Sequence, residues 1–437
     1  MKITVVGAGY VGLVVAVSFA CGGHQVICLE TNKERCNLLN TGHCPILENQ
    51  LPEMLNKAVA TNGVRFTTNA REALPSAEVI FITVGTPSGE NGKADLSDIY
   101  GVISDIIKNA ELCKFIVIKS SVPPGTTDKI QLELREERNP AHIRGINVIC
   151  NPEFLREGTA VNDFLAPDRI VIGSHNHNDS QQLLLLYRSL LKNTPAEVLT
   201  TPINAELIKY ASNSYLAVRL SYINEWACLC EAIGGNINDV TLGMGLDHRI
   251  GQEYLNAGLG YGGACLPKDT KALIYSAKQS SVSLSVLESA IQANDALVPR
   301  IAHKISNYLS VGSVVSVLGV SFKAGTDDIR NSPILSLVEQ ISDLIDCNIQ
   351  IYDPSYVKSK DKYPSKLLVH MVNSLEEAIY NADVLIVGTA WEQFGSINTD
   401  ELAMNIKGKI IFDFAKVFNK EHLNEIGFKY ITCGECD

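Results

Sequence analysis

Basic residues are in deficit: 37 Lys and Arg face 48 Asp and Glu, a formal net charge of −11. The chain therefore has no positive field of the kind that gathers nucleic acid, and an anionic small ligand would need a local site. Charged residues make up only 19% of the chain against 46% hydrophobic, and no low-complexity tract occurs, which excludes a disordered or fibrous protein. Twelve cysteines at irregular spacings in 437 residues are too dilute for a disulfide scaffold and fit a reducing, cytoplasmic setting. The one Cys-x-x-Cys pair, Cys433 with Cys436, has no second ligand pair near it, so no metal site is expected. No stretch approaches the roughly 18 uninterrupted apolar residues of a membrane span. The apolar stretch from Ile3 to Cys21, which after Lys2 could pass for a secretion signal, is broken by Gly7, Gly9 and Gly12. Neither export nor membrane insertion is expected.

The chain is too long for one core, since chains split at roughly 250 to 300 residues. Ile3 to Val6 is a β-branched run followed by glycines and a small-residue apolar helix to Cys21, which is a βα unit. Val26 to Leu29, Val79 to Val84 and Phe115 to Ile118 repeat the apolar runs of buried parallel strands. From Asn204 to about Ala232 there is no Gly or Pro, and Leu207, Ile208, Ala211, Tyr215 and Val218 keep helical register. A second α/β pattern begins at Val314, with a helix near Pro333 to Asp346 and strands Ile349 to Tyr352 and Val384 to Val387. The expected fold is α/β: two Rossmann-like doubly wound domains over 1–200 and 301–437, joined by a central long-helix segment over 201–300.

Gly7-Ala8-Gly9-Tyr10-Val11-Gly12 is a GxGxxG turn with a strand before it, a helix after it, and Glu30 eighteen residues beyond Gly12. The glycines let a pyrophosphate approach the helix amides, and an acid ending the second strand can accept both ribose hydroxyls. Glu30 repels a 2′-phosphate, so NAD is expected over NADP, although Arg35 stands near enough in sequence to soften that choice. A purely structural glycine turn is the competing reading, disfavoured by the strand, helix and acid occurring together. In Gly260 to Asp269 three glycines allow close backbone approach, Pro267 suits a first helical turn, and Cys265 is placed beside Lys268 near a helix N-terminus, where a thiolate is favoured. Asp269 follows one turn later. A buried inert thiol is the ordinary fate of a cysteine, but this loop argues for a nucleophile. Lys209 with Asn213, and Glu153 with Glu157, are each spaced by four. On spacing alone such pairs are as readily solvated surface charges.

These motifs resemble the UDP-glucose/GDP-mannose dehydrogenase family over nearly the whole chain, nearest its UDP-glucose branch. The matching blocks are the glycine turn, Val84-Gly85-Thr86-Pro87 with Ala94-Asp95-Leu96, Asn151 through Gly158, and Pro167-Asp168-Arg169. They continue with Lys209 and Asn213, Arg249-Ile250-Gly251, the Cys265 loop, and Gly319 through Phe322-Lys323 to Asp328 and Arg330. The resemblance implies four-electron oxidation of a sugar primary alcohol to a carboxylate, with NAD as cofactor and a thioester on Cys265. It implies that Lys209 and Asn213 reach the reacting hydroxyl and the developing oxyanion. Asp269 would position water or accept protons, and Glu153 would activate the hydrolytic water. The cofactor would meet Gly7, Gly9, Tyr10, Val11, Gly12, Glu30, Arg35, Thr86, Ser121, Glu157, Lys268 and Arg330. Phe154, Leu155, Arg156, Tyr254, Gly262, Phe322 and Lys323 would hold the nucleotide sugar. Arg249 would reach it across a dimer interface, implying at least a homodimer built on the central segment.

Two departures stand out. Lys119-Ser120-Ser121 replaces the family's usual Lys-Ser-Thr, so a hydroxyl survives. Asp413-Phe414-Ala415-Lys416 replaces Asp-Gly-Arg-Asn, so a substrate arginine is missing; either Lys416 compensates or the sugar differs from glucose. The rival substrates are GDP-mannose and a UDP-N-acetylhexosamine. A two-electron hydroxyacid dehydrogenase would need no cysteine, and a non-enzymatic NAD-binding scaffold would need neither Lys209 nor Asp269.

Overall fold

The computed structural model describes residues 1–355 and 369–436. It divides into two compact units, one of residues 1–212 with 271–282 and the other of 213–270 with 283–437.

The first unit holds strands β1 (Lys2–Val6), β2 (Gln25–Leu29), β3 (Val64–Thr67), β4 (Val79–Ile82), β5 (Phe115–Ile118), β6 (Asn147–Cys150), β7 (Arg169–Gly173) and β8 (Ala196–Thr200). They form one sheet in the order β3-β2-β1-β4-β5-β6-β7-β8. Pairing is parallel except between β6 and β7, which meet antiparallel at Cys150 and Gly173. The two-residue strand period sorts side chains between the faces. Val79, Phe81, Phe115 and Val117 enter one apolar cluster, while Ile80, Ile82, Ile116 and Ile118 enter the other. A sheet covered on both faces needs unbroken apolar strands, which is why these runs carry no polar alternation. β4 stops at Ile82, two residues short of the expected run. Thr83 Oγ1 turns back onto the carbonyls of Val6 and Gly7, at 2.8 and 2.9 Å. The Tyr10–Cys21 helix is buried from Gly12 to Ala20. It packs on the sheet and on the helices Leu51–Ala60 and Ala160–Leu165, so it is apolar on every side.

The second unit holds β9 (Val314–Leu318), β10 (Asn348–Tyr352), β11 (Val369–Met371), β12 (Val384–Val387), β13 (Ile410–Asp413) and β14 (Lys429–Ile431). The order is β11-β10-β9-β12-β13-β14, parallel throughout. Both sheets thus reverse direction beside their first strand, where doubly wound folds bind ligands at the carboxyl ends of strands. The helix-rich stretch between the two sheets in sequence contains the long helix Pro202–Ile233, then Ile237–Gly245, Leu266–Gln279 and Ser285–Ser306. None of the twelve cysteines is in a disulfide. Among the described residues no helix is long and apolar enough to cross a membrane.

Candidate active site

β1 runs into Gly7, whose φ of +99° lies in the left-handed region that glycine enters without penalty. At Gly12 a Cβ would stand 1.8 Å from the Gly7 oxygen and 2.4 Å from Thr83 Oγ1, so this glycine is required by packing of helix on strand. Gly9 is different. A Cβ there would meet no atom within 4 Å, and as helix N-cap Gly9 offers no side-chain acceptor to the first amides. Open space before uncapped amides fits the pyrophosphate of a dinucleotide.

Glu30, buried at the end of β2, accepts from the Ala8 N–H at 3.0 Å and the Asn32 N–H at 2.9 Å. It therefore grips the glycine turn while standing at the expected ribose position. Arg35 Nη1 lies 3.9 Å from Glu30 and 3.4 Å from the Ala8 oxygen, drawn toward the acid rather than away from it. The Tyr10 hydroxyl makes a short hydrogen bond with Glu48, and both oxygens accept from the Gly158 N–H, at 2.6 and 2.7 Å. Burial, and then Glu48, push the Tyr10 phenol far up, so it stays protonated and ties the turn to the segment carrying Glu153 and Glu157. Val11 packs on the core beneath. Thr86 Oγ1 donates to the Ser121 carbonyl at 2.8 Å, joining the loops after β4 and β5.

Lys209, from the long helix, meets Glu153 with Nζ 3.0 Å from Oε1, and both are buried. The Leu155 N–H donates to the other Glu153 oxygen at 2.6 Å. Burial alone would raise this carboxyl. Lys209, the Leu155 amide and Lys119 outweigh it and hold the carboxyl below the usual range. Phe154 lies between two cations, with the Arg169 guanidinium 3.9 Å and Lys209 Nζ 5.3 Å from its ring centre. Arg169 also donates to Ser212 Oγ at 3.4 Å. Residues 151–156 are irregular, so the four-residue spacing of Glu153 and Glu157 puts them on no common helix face. Glu153 is buried and ion-paired, whereas Glu157 is half-exposed. Arg156 is exposed and forms a two-pronged pair with Asp163, at 3.0 and 2.7 Å.

In the second unit Cys265 is exposed and immediately precedes the Leu266–Gln279 helix. One turn on, Asp269 is fully buried. Its carboxylate accepts from Asn213 Nδ2 at 2.6 Å and Lys268 Nζ at 2.5 Å, and its N–H donates to the Cys265 carbonyl at 2.9 Å. Lys268, expected against the cofactor, neutralises Asp269 here. The loop glycines approach the protein itself: a Cβ on Gly262 would stand 2.0 Å from the Asn331 oxygen, and one on Gly263 2.9 Å from the Phe322 ring. They thereby seat the Cys265 loop on the segment bearing Phe322, Lys323 and Arg330. Lys323 Nζ lies 5.6 Å from the Phe322 ring centre. Arg330 pairs with Asp328 at 2.6 Å and Arg249 with Asp247 at 2.5 Å, both arginines exposed. Tyr254 has a left-handed φ of 59°. Lys416, the residue beside the missing arginine, turns its amine to Asn238 Oδ1 at 2.6 Å.

Sequence reasoning assigned no role to Arg169, Lys119, Glu48 or Glu206. Arg169 and Lys119 stood inside quoted motifs, and Glu206 lies one turn before Lys209. Glu206 is buried and accepts from Gly125 N–H at 2.5 Å and from Thr127 N–H and Oγ1 at 2.8 and 2.6 Å. It anchors the long helix to the start of the Thr126–Leu134 helix.

Comparison with known proteins finds three domains of one family in order. The NAD binding domain of the UDP-glucose/GDP-mannose dehydrogenase family matches residues 1–191, its central domain 203–296 and its UDP binding domain 316–420. A UDP-glucose 6-dehydrogenase of Rickettsia felis is 39% identical, over 99% of this chain and 96% of that protein. The structure of a UDP-glucose dehydrogenase from the archaeon Pyrobaculum islandicum superposes with a TM-score of 0.87 at 31% identity, covering 100% of this chain and 98% of that one. A UDP-D-ManNAc dehydrogenase from Pyrococcus horikoshii gives 0.85 at 26% identity, covering 99% of each.

Proposed function

The chain belongs to the UDP-glucose/GDP-mannose dehydrogenase family, and from that membership we propose that it oxidises UDP-glucose to UDP-glucuronate through covalent intermediates on Cys265. The observation that carries the cysteine route is the exposed Cys265 at a helix start, with Asp269 buried one turn on and held by Asn213 and Lys268. Bound NAD supplies the hydride acceptor for each of the two oxidations.

The protein's own groups do the rest. Asp269 accepts the proton of the sugar hydroxyl, and Lys209 and Asn213 donate to the oxygen as charge develops on it. The thiolate of Cys265 adds to the aldehyde carbon, giving a thiohemiacetal that can release a second hydride where a free aldehyde cannot. The resulting thioester is opened by water that Asp269 positions and whose proton Glu153 accepts, and Cys265 leaves as the thiolate that began the cycle. Glu30, Thr86 and Ser121, with the turn Gly7 to Gly12, hold the cofactor. Phe154 to Arg156, Phe322 and Lys323 hold the nucleotide sugar.

The unit of function is at least a homodimer, in the cytoplasm. Tyr215, Tyr222, Trp226, Leu229 and Ile233 are exposed along one stripe of the long helix, a run of apolar area that a second copy would cover. Arg249 would then act on the partner's substrate.

A panel of nucleotide sugars followed by NADH absorbance tests the reading: two NADH per UDP-glucose are expected. One NADH per sugar would replace it with a two-electron dehydrogenase. Turnover of a UDP-N-acetylhexosamine alone would move the substrate toward that of the Pyrococcus horikoshii relative.

A further inference from the structure

An arginine interrupts the apolar stripe of the long helix. Tyr215, Tyr222, Trp226, Leu229 and Ile233 are exposed along it, and Arg219 stands in the same row, four residues after Tyr215 and three before Tyr222. Residues spaced by three and four share one face of a helix. A charge in the middle of a face that a second copy would cover is costly unless it is hydrogen-bonded.

Arg219 is half-buried and so bonded. Its Nη1 donates to the Ile250 carbonyl at 2.8 Å and its Nη2 to the Gly251 carbonyl at 3.0 Å, while the guanidinium carbon lies 5.9 Å from the Tyr215 ring centre. These are the two carbonyls that follow Arg249. The turn that carries Arg249 comes after the Ile237–Gly245 helix and is closed on Asp247. The Asp247 carbonyl accepts from the Ile250 and Gly251 N–H groups, both at 2.9 Å. Its carboxylate accepts from the Arg249 N–H at 3.0 Å and from the Arg249 guanidinium at 2.5 Å. Asp247 thus shapes the turn from within, whereas Arg219 ties it to another element, the long helix. A planar guanidinium forks onto two neighbouring acceptors in one orientation, which an ammonium cannot do.

We propose that Arg219 is a positioning residue for substrate binding: its fork on the Ile250 and Gly251 carbonyls sets the turn that presents Arg249 to the nucleotide sugar. The proposal rests on the role given above to Arg249 and on the stripe being the face that two copies share. Arg249 is itself exposed and held by Asp247 two residues away, so its placing relative to the long helix comes through the backbone of the turn. The face where two chains meet therefore also fixes the arginine that one lends the other.

The test pairs Arg219→Met, close in length and apolar like the rest of the stripe, with Arg219→Lys, charged but unable to fork. Arg219→Met should keep the wild-type oligomeric state in sedimentation and raise KM for UDP-glucose by about tenfold. Its kcat and its KM for NAD should hold, the pattern of lost binding rather than lost chemistry. Arg219→Lys should show most of the same rise; full recovery by the lysine would mean that charge suffices and would overturn the fork. Dissociation of Arg219→Met into monomers would make Arg219 an interface residue and overturn the proposal. Combined with Arg249→Ala, Arg219→Met should raise KM no further, since both act through one arginine. An additive rise overturns this proposal alone, whereas an unchanged KM in Arg249→Ala refutes the role given to Arg249 and this proposal with it. Mixed with Cys265→Ser, Arg219→Met should regain activity as Arg249→Ala does; recovery with Arg249→Ala only would also overturn it.

Discussion

Nζ of Lys209 lies 3.0 Å from Oε1 of Glu153 across 56 residues of sequence, with both side chains withdrawn from water. Such a pair adds little net stability over apolar packing, but removing one partner strands a buried charge. The pair thus fixes where two reactive groups stand rather than how firmly the fold holds.

Glu153→Gln should accordingly destabilise the protein by about 3–5 kcal/mol, read as a lowered denaturation midpoint, and should slow thioester hydrolysis. The folded carboxyl lies below its ordinary value of 4.5. Its stabilisation is therefore complete above that value and is lost as pH falls through the folded one. Denaturation midpoints measured on acidification should fall less steeply in Glu153→Gln than in wild type; equal slopes would contradict the assignment.

Glu30→Ala should narrow the preference for NAD over NADP by about tenfold, ~1.4 kcal/mol. It removes both the repulsion of a 2′-phosphate and the acceptor of the Ala8 N–H. The measurement is the ratio of kcat/KM for the two cofactors. Equal use of both by the wild type would refute the reading of Glu30.

Cys265→Ser should abolish net acid formation, because an oxygen ester is formed poorly and hydrolysed slowly. Affinity for UDP-glucose and NAD should stay within about tenfold, ~1.4 kcal/mol, since one atom changes. Supplied with the sugar aldehyde, the variant should produce no sustained NADH. Near-wild-type acid production would sink the thioester route.

Arg249→Ala should raise KM for the sugar, and mixing it with Cys265→Ser should restore part of the activity if one protomer's arginine serves its partner's site. Arg249 is exposed and held by Asp247 at 2.5 Å, so its loss should leave the fold intact. Confirmed subunit exchange without recovery would count against a shared site.

The sequence by itself determined the elements and the chemistry-bearing residue types. Phe115–Ile118 and Val384–Val387 were legible to the residue, because a parallel strand covered on both faces must be an unbroken apolar run ended by polar residues. The glycine turn and the placing of Cys265 at a helix start were legible for the same reason: each rests on neighbours a few residues away. What only the tertiary structure decided was which groups lose water and whom they then face. Glu153 and Glu157 read alike in sequence, yet one is buried against Lys209 and the other half-exposed. Gly262 and Gly263 read as room for a ligand, yet they make room for Asn331 and Phe322. Lys119 read as part of a strand-end motif until Asn151, Tyr187 and Phe164 closed over it. Spacing along a chain reports local geometry, whereas desolvation and charge pairing depend on segments brought together from far apart.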